Sequence, residues 1–216
     1  MKKIILVAAC FLFVGSASAQ YSDKFMSAMK RNLAMIDSSF RNPMDLLNLS
    51  NSFERIAQAE KNQWLPYYYA ALCQVNYAYL EQDKTKVDGI ADKAEALAAV
   101  ADSLSTANSE ISCIRSMIAT ARLMVNPMQR YMQYGAESEK QLKLAMAQDS
   151  SNPRPYFLKA TSLKYTPAQF GGGCKTALPV FQTAMEKFGT FKPVDELHPA
   201  WGKAPTEQAI AECSKP

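Results

Sequence analysis

The chain is poor in the residues on which most catalytic and metal chemistry relies. A single histidine, His198, stands among 216 residues, which excludes zinc sites built on histidine pairs. None of the five cysteines shows C-x-x-C spacing, so no thiolate cluster replaces them. Neither G-x-S-x-G nor H-E-x-x-H occurs. His198 lies in Leu197-His198-Pro199-Ala200-Trp201, with no nucleophile or orienting acid identifiable beside it. It is expected to pack or cap, and Trp201 to cover one end of the core. No catalytic residue, metal or cofactor is therefore expected, and the chain is not read as an enzyme.

An excess of one charge is also lacking. The net charge of +4 includes Lys2 and Lys3; a chain without residues 1–19 loses those two lysines and no acid, leaving +2. Nucleic acid is not an expected partner of so balanced a surface. The longest apolar run, Ile4 to Val14, is too short for a permanent membrane span. Flanked by Lys2-Lys3 and by Ala17-Ser18-Ala19, it reads instead as a secretory signal peptide, residues 1–19, cleaved after Ala19. Val7-Ala8-Ala9-Cys10 resembles a lipoprotein box, but the apolar run continues past Cys10 and favours the cleaved signal. A periplasmic or secreted protein is expected.

Alternating apolar residues are absent as well, and β-branched residues are sparse, whereas alanine and methionine are plentiful. Phe25, Met29, Leu33 and Ile36 step as one helical stripe over about 22–38, and Asn42-Pro43 opens a second helix. Further helices follow Trp64-Leu65-Pro66, the turn at 83–88, Asn108, Asn126-Pro127, Pro153 and Gly171-Gly172-Gly173, with a short last one after Pro205. An all-α fold follows. Leu65-Pro66-Tyr67-Tyr68-Tyr69-Ala70-Ala71 aligns with Arg154-Pro155-Tyr156-Phe157-Leu158-Lys159-Ala160, and Ile111 to Ser116 is a weaker copy. Ala94/Ala98/Ala101, Ser138/Leu142/Ala145 and Ala177/Phe181/Ala184 each step by four and then three in the partner helices.

In these positions the chain resembles the tetratricopeptide repeat family. Tyr67/Ala71 and Tyr156/Ala160 match its aromatic–small pair, Ala177/Phe181/Ala184 its second-helix signature, and Pro153 its closing proline. The turns are longer than the family's, and the period of 44–45 residues between Ala71, Ser116 and Ala160 also suits other helical-hairpin solenoids. The resemblance implies an α-solenoid of about four hairpins over residues 20–188, followed by a loop and capping helix over 189–216. It also implies a groove, with Tyr68, Met117, Arg154, Phe157 and Lys164 as candidate lining. The implied role is a scaffold for a protein or peptide partner in the cell envelope. The alternative is a periplasmic accessory protein that holds a small solute in a helical pocket.

Tyr165-Thr166-Pro167-Ala168-Gln169-Phe170-Gly171-Gly172-Gly173-Cys174-Lys175 superficially suggests a phosphate loop, but a helix precedes it and the glycine–lysine spacing is wrong. It is read as a hinge between helices. Cys174 then starts a helix and Cys213 ends the last one. A cap packed antiparallel to its neighbour brings those ends together, so a disulfide between Cys174 and Cys213 is expected. Cys73 and Cys113 are left as a second pair or as two buried thiols.

Overall fold

In the computed structural model, residues 21–215 are described; the expected signal peptide lies outside them. Every regular element among the described residues is helical. The helices are α1 (Asp23–Leu33), α2 (Ile36–Ser39), α3 (Pro43–Ala59), α4 (Trp64–Leu80), α5 (Lys84–Leu104) and α6 (Ser109–Val125). They continue with α7 (Pro127–Arg130), a π-helical turn (Tyr131–Gly135), α8 (Ala136–Gln148) and α9 (Arg154–Tyr165). A 3₁₀ turn (Ala168–Phe170), α10 (Cys174–Thr190) and α11 (Lys203–Cys213) complete the chain. The stripe expected to form one helix over about 22–38 is broken at Ala34-Met35 into α1 and α2.

Local sequence explains where the helices begin. Asn42 Oδ1 accepts from Met44 N–H, Asp83 Oδ1 from Thr85 N–H and Asn108 Oδ1 from Glu110 N–H, each satisfying a first-turn donor that the helix leaves open. Pro43 and Pro127 sit just inside α3 and α7, where a missing N–H costs nothing.

Neighbouring helices pack as hairpins: α1 with α3, α4 with α5, α6 with α8 and α9 with α10, while α11 closes on α10. The first members α4, α6 and α9 also pack side by side. Small residues at the expected positions make this possible. Ala71, Ala94, Ala98, Ala101, Ala145, Ala160, Ala177 and Ala184 are all buried, letting backbones approach. Around them Phe53, Leu65, Tyr69, Ile114 and Met29 fill one large core, and Phe181 anchors a smaller one beneath α11. The second and third hairpins are joined by an ion-pair ladder. Arg115 reaches Glu95 and Asp102, Arg122 reaches Asp92, and Arg130 makes a two-pronged contact with Asp88.

The glycine run is the expected hinge. Gly171 and Gly173 adopt φ of +84° and +91°, and a Cβ on Gly172 would lie 2.1 Å from the Thr166 carbonyl oxygen. The reversal ends with Gly173 N–H on the Leu163 carbonyl at 2.8 Å. Cys174 then opens α10 and is bonded to Cys213 at the end of α11, with Cα atoms 4.9 Å apart. Cys73 and Cys113 are buried free thiols, not a pair, and burial pushes the Cys73 thiol up to about 12.

Candidate ligand-binding surface

The inner helices α4, α6 and α9 run parallel, so polar groups near their N-termini meet. Tyr68 of α4, Glu110 of α6 and Arg154 of α9 form one buried cluster. Glu110 Oε1 accepts from Arg154 Nη1 and from Asn152 Nδ2, both at 2.8 Å, and Oε2 from the Tyr68 hydroxyl at 3.3 Å. Desolvation pushes the Glu110 carboxyl up to about 7, against the opposing pull of Arg154, Tyr68 and Asn152.

This cluster does not face an open groove. Residues 191–202, between α10 and α11, cross it as a strap. Arg154 Nη2 donates to the Pro199 carbonyl, and its guanidinium lies 5.0 Å from the Phe191 ring centre and 5.4 Å from that of Trp201. The Tyr69 hydroxyl donates to the Leu197 carbonyl at 2.7 Å, and Trp201 Nε1–H to the Tyr68 hydroxyl at 2.8 Å. Asp195 turns the strap by accepting from the N–H groups of Leu197 and His198 and bonding His198 Nδ1 at 2.7 Å. His198 packs edge-on to Trp64 at 5.6 Å, as expected of a packing residue.

The candidate groove residues are therefore distributed differently from an open lining. Arg154 has 0% of its surface exposed, Tyr68 is buried beneath Trp201, and Met117 is buried, its carbonyl accepting from the Tyr79 hydroxyl. Phe157 is half-buried against Phe181 and Trp201. Lys164 pairs with Glu212 of the capping helix and is the one farthest from the strap along α9. The sequence reading missed Glu110, Asn152 and the strap's course. One signal was available: Glu110 and Arg154 lie 44 residues apart, one repeat period, with opposite charge.

With α6 and α9 packed side by side and parallel, their C-terminal ends lie at the opposite edge. Here large apolar side chains stand in solvent: Met124, Tyr131 and Phe170 are exposed, and Met128, Met132 and Tyr165 more so at 87%, 83% and 76%. The π-helical turn holds Tyr131, and Gly135 leaves the space its ring occupies; a Cβ there would lie 3.1 Å from that ring. On the outer face, a cleft of about 320 Å³ opens between α5, α6 and α8, lined by Glu95, Arg115, Arg122 and Tyr134; its arginines are already engaged in the ladder. Among the described residues, no three His, Cys, Asp or Glu side chains converge as a metal site. No helix there is long and apolar enough to cross a membrane.

These features define a disulfide-bonded stack of helical hairpins, closed at one edge by its own C-terminal strap and apolar at the other. The solved structure of the HusA haemophore from Porphyromonas gingivalis superposes on it with a TM-score of 0.79. The two share 38% sequence identity over 93% of this chain and 95% of that one. The chain belongs to the family of that haemophore. No family model matches the chain, and no curated protein matches it.

Proposed function

We propose that the protein is a carrier of a small tetrapyrrole, haem or a close relative, working outside the cytoplasm as a binding protein and not as a catalyst. The observation that carries this reading is the likeness to a haemophore along nearly the whole chain. The disulfide between Cys174 and Cys213 fits an oxidising compartment, in keeping with the expected signal peptide. The tetratricopeptide register describes how the hairpins repeat. The peptide-scaffold role it implies is less well supported than small-ligand binding, because the strap covers Tyr68 and Arg154, where a peptide would lie. Titration of purified protein with haemin, followed in the Soret band, tests the proposal. A saturable spectral change of fixed stoichiometry is expected. A titration no different from haemin added to an unrelated helical protein refutes it.

A further inference from the structure

The exposed apolar residues are not equivalent. Met35, Phe40 and Met44 share their stretch with Asp37 and Asp45, Val100 and Leu104 flank Asp102, and Val194 adjoins Asp195 and Glu196. The edge formed by the ends of α6 and α9 is different. Residues 123–135, Leu-Met-Val-Asn-Pro-Met-Gln-Arg-Tyr-Met-Gln-Tyr-Gly, contain no acid and one cation, Arg130. Residues 163–173, Leu-Lys-Tyr-Thr-Pro-Ala-Gln-Phe-Gly-Gly-Gly, again contain no acid and one cation, Lys164. Each apolar group thus carries its own positive charge. Arg130 lies over the Tyr134 ring at 5.8 Å, and Lys164 over the Tyr165 ring at 5.3 Å.

We propose that this edge seats the tetrapyrrole, with Met128, Tyr131 and Met132 on one side and Tyr165 and Phe170 on the other packing the macrocycle, and Arg130 and Lys164 meeting its carboxylates. The inference rests on the tetrapyrrole reading above and adds the site. A flat apolar ring bearing two carboxylates is the occupant whose chemistry matches an apolar surface with one cation at each of its two parts. Apolar side chains at such exposure gain about 25 cal/mol for each Å² removed from water, and methionine adapts its shape to a rigid ring. The present ion partners, Asp88 of Arg130 and Glu212 of Lys164, have side chains 40% and 42% exposed, so water already weakens both pairs and an incoming carboxylate can share the cations. The hinge that follows Phe170 acquires a second purpose, fixing where that ring stands.

Haemin titration of M128S/M132S, Y165S/F170S and V194S beside the unaltered protein decides the matter. All five positions are exposed, so helical circular dichroism is expected to be unchanged in every variant. Each double variant is expected to weaken haemin binding at least about tenfold, equivalent to about 1.4 kcal/mol, with V194S within twofold of the unaltered protein. Haemin dimethyl ester, which lacks the free carboxylates, is expected to bind the unaltered protein more weakly than haemin. Unchanged affinity in both double variants, or an equal loss in V194S, overturns the site while leaving the tetrapyrrole reading standing. Failure of the unaltered protein to bind haemin defeats both.

Discussion

Glu110 offers a quantitative test of the buried cluster, because two large effects oppose each other there. Burial disfavours its charged form, whereas Arg154, Tyr68 and Asn152 favour it. Desolvation wins, raising the carboxyl from its usual 4.5 to about 7. At about 1.4 kcal/mol per pH unit, the ionised form costs the folded state roughly 3 kcal/mol. The folded chain therefore holds a proton between pH 4.5 and 7 that the unfolded chain releases. Wild-type stability, through this group, falls as pH rises across that window and is level above it. Glu110→Gln removes the titration, keeps an oxygen for Arg154 and Asn152, and leaves Arg154 without a countercharge. The informative quantity is the wild-type minus variant difference in unfolding free energy, since other titrating groups cancel. Urea unfolding followed by tryptophan fluorescence suits the measurement, because Trp64 packs on the strap and Trp201 belongs to it. The difference should drop by about 3 kcal/mol from pH 4.5 to 7. A flat profile, or a difference that grows with pH, would show that Arg154 holds the carboxylate ionised and that desolvation does not dominate.

Two other outcomes follow from the hinge and its staple. Cys174→Ala with Cys213→Ala opens a loop of 39 residues and should cost about 3–4 kcal/mol in denaturant unfolding; a loss under about 1 kcal/mol would mean that packing alone holds α11. Gly172→Ala drives a methyl into the Thr166 carbonyl and should lower stability by at least about 2 kcal/mol, whereas an unchanged melting temperature would show that the turn can re-form.

The architecture was legible because helical period, caps and small-residue spacing are local signals. Ala177/Phe181/Ala184 and Asn42-Pro43 needed no tertiary information to be read. The staple between Cys174 and Cys213 followed once the last two helices were set antiparallel. The groove was misjudged because its occupant is distant in sequence. Nothing local to Tyr68 or Arg154 announces that Trp201 and Pro199 will cover them. A loop whose carbonyls are bound by side chains from elsewhere has no period to detect. The break at Ala34-Met35 escaped for the opposite reason, since the apolar stripe runs straight across it. The apolar edge is divided among helix ends far apart in sequence, and only the parallel packing of α6 and α9 puts those ends on one side of the stack.

The strap also sets an order of assembly. Tyr69 and Tyr68 bond partners 128 and 133 residues further along the chain. In a polypeptide that emerges N-terminus first, α4, α6 and α9 are all available while Arg154 still lacks the carbonyl and rings that will enclose it. Loop closure over such separations is slow compared with helix formation. Once Cys213 emerges, its bond to Cys174 confines residues 191–202 to a short tether above the waiting cluster, converting a distant search into a local one. Residues made after α4, α6 and α9 are thus those that finish the cluster between them.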